Sequence, residues 1–339
     1  MARVTIEKVA ERAGVSVATV SRALRGLPNV SPRTRDRVVS VAAMLNYRPD
    51  PNAARLAAGR TRTIAVGVVA IPIWYTGQVV SGIEAVLTSQ GYDLTLLLIA
   101  DEFARTRALG DVGGGVSKRA DGAIIVDLVP SEPERVLLEE QRLPWVMVGA
   151  DCPTIDSVVI DNVEGARSAA RHLLESGHTR IGLISGGPAG FPASSPPQRR
   201  RGFLQAHEDA GVRFDPTTER VGDFSALGGF EAMKALLSLP RPPTAIFAMS
   251  DEMAMGAMRA CREAGLTIPD DMSIVGFDDV DWAFSVGLTT VRQDAAELGA
   301  MAARLMIERL EGDGRERRLI TVPTELVVRD STAGSRPNV

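Results

Sequence analysis

Apolar residues recur along this chain with two different periods. At the N-terminal end Ile6, Val9, Ala10 and Ala13 stand at helical spacing, so residues 6–13 predict a helix with one apolar face. Thr5 occupies its capping position. Gly14 follows the last apolar residue, where chains leave helices through a left-handed residue. Ser16 caps a second helix two residues later, and a third begins at SPRTRDRV with Ser31 as cap and Pro32 in its first turn. The third helix continues through Val38, Val41, Ala42 and Leu45. Within the second, Val20, Ala23 and Leu24 share one side, while Val17, Ala18, Ser21, Arg22 and Arg25 make the opposite stripe. Two helices joined by so tight a turn predict a helix-turn-helix.

Pro49 and Pro51 end the third helix, and NAARLAA then predicts a short helix closed by Gly59. It is too short to be stable alone in water, which suits a linker that folds on its target. From Thr63 the period changes. Continuous apolar runs (TIAVGVV, YDLTLLLIA, GAIIVDLV, PWVMVG, SVVID, RIGLIS, TAIFAMS, SIVGFDD) alternate with helical stretches such as VEGARSAARHLLESG and DEMAMGAMRACREAG. Such runs are those of parallel strands buried on both faces, and the alternation is that of βαβ units in doubly wound sheets. The fold class is α/β, with a helical head. About 270 residues of this pattern favour two lobes over one. The expected boundaries are a head at 1–48, a linker at 49–62, a body at 63–332 and a tail at 333–339. No run reaches the ~18 apolar residues of a membrane span.

Net charge changes the picture because it is uneven. Residues 1–62 carry 12 Arg or Lys against four acids, whereas the remainder carries 38 acids against 26 bases. A basic head on an acidic body predicts that the head alone meets a polyanion. The stripe of the second helix is small, partly apolar and basic, suited to a major groove: Arg22 can reach guanine edges, and Val17 or Ala18 can lie against thymine methyls.

Candidate catalytic chemistry is sparse. SGGPAG (185–190) follows a strand but lacks the Lys-Ser/Thr of a P-loop and the spacing of the dinucleotide fingerprint. FDDVD (277–281) has no second acidic cluster to complete a metal site, so Asp278 is better read as an acceptor for ligand hydroxyls at a strand end. His172, His178 and His207 pair with no Cys or Glu at ligand spacing, and Cys152 and Cys261 fit buried thiols in a reducing cytoplasm. Trp74, Tyr75, Phe224 and Trp282 lie near strand ends, where rings can stack on a ligand or simply pack. No catalytic constellation, cofactor or metal is expected. A solute-binding protein without a regulatory role is the alternative, and the basic head argues against it. A Rossmann-type enzyme is disfavoured by the absent fingerprint.

TIEKVAERAGVSVATVSRAL resembles the helix-turn-helix signature of the LacI/GalR family, the lactose and galactose repressor relatives. The resemblance continues through YRPDPNAARL, VIDNVEGA, RRRGF, DEMAMGA, IVGFDD and LTTVRQD to VPTELVVRDST, covering residues 3–332. It implies a cytoplasmic, homodimeric repressor with a body like a periplasmic sugar-binding protein, the chain crossing between lobes near 161, 290 and 321. The partners implied are a pseudo-palindromic double-stranded DNA operator and a small-molecule effector, a sugar in the first place. Base readers would be Val17, Ala18 and Arg22, with Thr5, Ser16, Thr19, Ser21, Ser31, Thr34 and Tyr47 positioning the head. In the hinge, Leu56 would wedge into the minor groove with Ala53 beside it. Arg55 stands one position later than the family pattern, so its role is open. The effector pocket implied is Tyr75, Ser195, Arg199, Phe224, Ser250 and Asp278. Ala193 holds the place where purine-binding relatives carry an arginine.

Overall fold

The computed structural model describes residues 4–24, 26, 28–47, 61–69, 74–109, 116, 119–141, 143–187, 194–312 and 316–334. The chain divides into two compact units, Met1–Arg62 and Thr63–Val339. Arg25, Ala53, Arg55, Leu56 and Ala193 lie outside the described residues.

The first unit holds α1 (Ile6–Ala13), α2 (Val17–Leu24) and α3 (Pro32–Met44). Gly14 leaves α1 at φ 64°, as its position predicts. Ser16 Oγ accepts from Thr19 N at 3.2 Å, and Ser31 Oγ accepts from Thr34 N at 3.2 Å, so both expected caps form. Thr5 differs. It occupies the N-cap position of α1, but its side chain makes no cap hydrogen bond. It engages Glu7 instead, and that bond holds the Glu7 carboxyl below its ordinary range. Val9, Ala13, Val20, Ala23, Val38 and Val41 form a common core, with Leu24, Leu45 and Tyr47 packed at its edge.

The second unit contains two six-stranded sheets. The first is built from β1 (Thr63–Val68), β2 (Asp93–Leu98), β3 (Gly122–Val126), β4 (Trp145–Val148), β5 (Asp156–Ile160) and β11 (Leu319–Val322). Its order is β11-β5-β4-β3-β1-β2, with every neighbouring pair parallel. The second holds β6 (Ile181–Ser185), β7 (Glu219–Val221), β8 (Ala245–Ala248), β9 (Ser273–Asp278), β10 (Thr289–Arg292) and β12 (Glu325–Val327). Its order is β12-β10-β9-β8-β6-β7. Here the expectation of parallel sheets needs amending, because β12 runs antiparallel to β10. Between β10 and β12 the chain leaves for the first lobe, through the helix Ala295–Leu310 and β11, and re-enters from there, so β12 does not complete a βαβ unit with β10 and need not run parallel to it.

The chain passes from the first sheet to the second after Ile160, returns after Arg292, and passes again after Val322. Helices α4 (Trp74–Ser89), α5 (Glu102–Leu109), α6 (Glu132–Glu140) and α12 (Ala295–Leu310) belong to the first lobe. The second lobe carries α7 (Asn162–Glu175), α8 (Ser195–Asp209), α9 (Ala226–Leu237), α10 (Asp251–Glu263) and α11 (Asp281–Ser285). Each of the eight apolar runs contains a strand, but YDLTLLLIA is not buried on both faces. It forms the edge strand β2, and Leu96 and Leu98 are exposed. Burial on two faces needs covering elements on both, which a run of leucines cannot itself specify.

Candidate functional site

On the first unit, α2 presents the surface that its sequence pattern predicts. Val20 and Ala23 are buried against the other helices, while Val17, Ala18 and Arg22 are exposed. Ser16 is exposed beside them, Thr19 and Ser21 are half-buried, and Thr34 is half-buried at the start of α3. An exposed valine and alanine next to an exposed arginine make a face that can read both methyl groups and base acceptors.

In the second unit, one cavity lies between the two lobes at the C-terminal ends of their strands, where open α/β sheets bind ligands. It is lined by Tyr75, Asp127, Gly149, Ile160, Asn162, Ser195, Arg199, Asp278 and Gln293. Most arrive by a short route from a strand end. Asp127 follows β3, Gly149 follows β4, and Ile160 ends β5. Asn162 and Ser195 open α7 and α8, and Asp278 ends β9.

Arg199 organises the second-lobe wall. Its guanidinium carbon lies 3.5 Å from the centroid of the Phe277 ring, a cation–π stack. Its Nε donates to Asn162 Oδ1 at 2.9 Å and its Nη1 to Met249 O at 2.5 Å. Its Nη2 lies 3.8 Å from Asp278 Oδ1. That carboxylate oxygen also accepts from Gln293 Nε2 at 2.5 Å. Burial raises the Asp278 pKa, an effect that the facing Arg199 partly offsets. The Asp278 backbone sits at φ 124°, a region that disfavours side chains. The next residue secures it: Asp279 accepts from Arg292 Nε at 2.7 Å and Arg329 Nη2 at 2.6 Å.

The first-lobe wall is built from Tyr75, Asp127 and Gly149. A Cβ on Gly149 would lie 2.9 Å from the Tyr75 hydroxyl and 3.3 Å from Asp127 Oδ1, so both polar groups crowd one glycine. Burial pushes the Asp127 carboxyl up to about 7, against the pull of Arg199. Burial, then Asp127, raises Tyr75 so far that it stays a neutral hydroxyl. The lobes are joined across the cavity mouth by Ser194 Oγ, which donates to Gly149 O at 2.5 Å.

Tyr75, Ser195, Arg199 and Asp278 are therefore brought together, and Ser250 and Phe224 are not among the lining residues. Ser250 is the N-cap of α10, its Oγ accepting from Met253 N at 3.3 Å. Its neighbour Met249 supplies a carbonyl to Arg199 instead. Phe224 lies over Gly186, where a Cβ would come within 2.1 Å of its ring. Asp127, Asn162 and Gln293 escaped the reading of the sequence. The signal for Asp127 was present: a carboxylate directly after the buried run GAIIV, at the C-terminal end of a strand. The FDDVD acids are divided between roles, Asp278 in the cavity and Asp279 in ion pairs.

A family model described as "Bacterial regulatory proteins, lacI family" matches residues 5–50, and one described as "Periplasmic binding protein-like domain" matches residues 170–332. The HTH-type transcriptional repressor CytR of Escherichia coli strain K12 is 36% identical over 336 residues, spanning 97% of this chain and 96% of CytR. Among solved structures, the Lac repressor dimer bound to operator and the anti-inducer ONPF superposes with a TM-score of 0.86 at 29% identity, covering 98% of this chain and all of that one. The transcriptional regulator CelR in complex with cellobiose gives 0.73 at 31% identity, covering 97% and 100%.

Proposed function

This chain belongs to the lacI family of bacterial regulatory proteins, and from that premise we propose that it is a dimeric, cytoplasmic repressor whose effector is a neutral sugar. The α2 face supports reading of operator bases by Arg22, Val17 and Ala18, with Ser16, Thr19, Ser21, Ser31, Thr34, Thr5 and Tyr47 around the phosphates. In the linker, Leu56 is the proposed minor-groove wedge with Ala53 beside it, and the role of the displaced Arg55 stays open between a phosphate and an interhelical contact. Dimerisation is supported by large exposed side chains on neighbouring elements of the second lobe: Leu227 (71% exposed) on α9, Trp282 (64%) and Phe284 (78%) on α11. Helix α10 touches both elements, through Gly256 packed on Ala226 and through Asp251 accepting from Val280 N.

The single observation carrying the effector class is the charge balance of the cavity. Two carboxylates, Asp127 and Asp278, face one guanidinium, Arg199, among the neutral groups of Tyr75, Asn162, Ser195 and Gln293. Carboxylates and a fork of N–H donors suit vicinal hydroxyls, which donate and accept at once. A phosphorylated ligand would meet one guanidinium whose N–H groups are already shared with Asn162 and Met249, beside two acids whose ionisation burial already disfavours. The cavity volume is about 30 Å³, room for a water or two but not for a hexose. The effector therefore enters by displacing the internal bonds of Arg199 and the Ser194–Gly149 clasp, parting the lobes. Because β1 begins at Thr63, directly after the linker, movement of the first lobe pulls on the hinge segment.

Thermal unfolding against neutral sugars, sugar phosphates and nucleobases tests this reading. A neutral sugar at a hundred times its Kd should add about 2.7 kcal/mol, a rise of a few degrees, and Asp278→Asn should abolish it. A response to phosphorylated sugars alone would overturn the assignment.

A further inference from the structure

A small cavity of about 80 Å³ lies at the N-terminal end of the second-lobe sheet, the end opposite the interlobe cavity. Arg180 and Ile181 line it where β6 begins, His207 lines it from the last turn of α8, and Arg213, Asp215 and Thr218 line it from the chain leading to β7. His207 is only 3% exposed, its ring packed against Phe203 and Phe214. Its Nδ1 faces Phe203 O at 2.9 Å and therefore carries the proton. That leaves Nε2 as an acceptor, and it has no partner among the described residues. Nor is it one of the buried polar atoms sealed from solvent, so it opens into the cavity that its residue lines. A polar atom on a buried side chain that stays unmatched calls for a reason.

Two cations share the cavity with that acceptor. Arg180 Nε donates to Arg241 O at 2.7 Å and its Nη1 to Asp215 Oδ2 at 2.6 Å, while its Nη2 has no partner among the described residues. Arg213 is exposed and makes no hydrogen bond or ion pair among them. Asp215 is the one acid of the lining, and both its oxygens are taken: Oδ2 by Arg180, Oδ1 by Thr217 N at 2.9 Å and Thr217 Oγ1 at 2.7 Å. The lining thus has one cation in excess, unused N–H donors on two guanidinium groups and one unused ring acceptor. An anion that satisfies all three must bring a hydrogen as well as charged oxygens. We infer that this cavity binds inorganic phosphate, whose charged oxygens accept from Arg180 Nη2 and Arg213 and whose P–OH donates to His207 Nε2. Guanidinium groups suit phosphate oxygens in geometry and charge. A volume of about 80 Å³ holds two or three waters at ~30 Å³ each, or one tetrahedral oxyanion. Burial lowers the His207 pKa, an effect that its bond to Phe203 O only partly offsets, so the ring is neutral and Nε2 stays an acceptor near neutral pH. The site does not depend on what the interlobe cavity binds, although α8 carries Ser195 and Arg199 of that cavity and His207 of this one. Arg199 and His207 are about 12 Å apart along the helix.

The test is inorganic phosphate titrated at constant, slightly alkaline pH into the full-length protein while the imidazole resonances of His172, His178 and His207 are followed by NMR, with sulfate and methyl phosphate in parallel. All three histidines lie in the second lobe, so phosphate held by the basic head does not register. The expected result is a saturable shift of one imidazole, the one missing from His207→Phe. Arg213→Gln changes an exposed side chain and keeps the fold, so it serves even if His207→Phe does not fold. It should weaken phosphate at least about tenfold, the loss of a charge-assisted hydrogen bond, with His172 and His178 unmoved. Sulfate and methyl phosphate, which at this pH bring no hydrogen for Nε2, should bind about fivefold more weakly. A His207 resonance that stays fixed at tens of millimolar phosphate, as it would if ordered water alone filled the cavity, overturns the proposal. So does sulfate or methyl phosphate that binds as tightly as phosphate, or a shift that Arg213→Gln leaves unaltered.

Discussion

Asp127 shows how a single residue ties ligand binding to stability. It is faced by Arg199 and by the Tyr75 hydroxyl, with Asp278 on the opposite wall, and burial brings its carboxyl to about 7. A carboxyl harder to ionise in the folded than in the unfolded chain binds protons more tightly when folded. Its effect on stability is therefore neutral below the unfolded pKa near 4, unfavourable as pH rises towards 7, and constant above. Asp127→Asn should then leave stability at pH 4 unchanged and raise it at pH 8 by roughly 1–2 kcal/mol, less than the full shift because water in the cavity screens the charge. Denaturant unfolding at the two pH values measures this; equal gains at both would mean that packing, not ionisation, sets the cost.

At the scale of elements, the helix pairs α4–α12, α7–α8 and α9–α10 approach closely because each contact contains glycine. A Cβ at Gly299 of α12 would stand 2.0 Å from Val79 O of α4, and one at Gly82 of α4 would stand 1.9 Å from Ala296 O. Gly299→Ala should destabilise the body by about 1–3 kcal/mol through overpacking, visible as a lower Tm. It should also disturb Gln293, which lines the interlobe cavity just before α12. Helix α2 is governed differently, by what it leaves exposed. Arg22→Ala should cost about 1–3 kcal/mol of operator affinity and relax the preference at one base pair. A binding-site selection with the variant reads this directly. A uniform loss across all sequences would assign Arg22 to phosphate instead.

For the whole molecule, function depends on the segments that join its parts. Three chain passages link the lobes, after Ile160, Arg292 and Val322, so the lobes can turn about a narrow waist. The linker between the head and β1 carries the proposed wedge. Leu56→Ala should weaken operator binding and reduce DNA bending while leaving the sugar-dependent rise in Tm intact. Calorimetry and a gel-bending assay separate the two effects, and simultaneous loss of both would show that the substitution damages the fold. Operator affinity should also fall steeply with salt, as expected where the 12 basic residues of 1–62 meet phosphates.

The three head helices, their serine caps, the apolar runs that became strands and the residues Arg199 and Asp278 were all legible in the sequence. Helical and strand periodicity, capping and charge are local properties, carried by residues a few positions apart, and the resemblance to a known family extended them to the pocket. Local pattern could not decide which apolar run lies at a sheet edge, so the leucines of β2 look as buried as the isoleucines of β3. Nor could it reveal that β12 reverses direction, that Phe224 covers Gly186, or that Ser250 spends its hydroxyl on a helix cap. The joining of Asp127, Asn162 and Gln293 in one cavity was likewise decided by tertiary structure. Those residues come from different crossovers, and whether a polar atom finds a partner depends on groups that only the packed chain brings within a few ångströms.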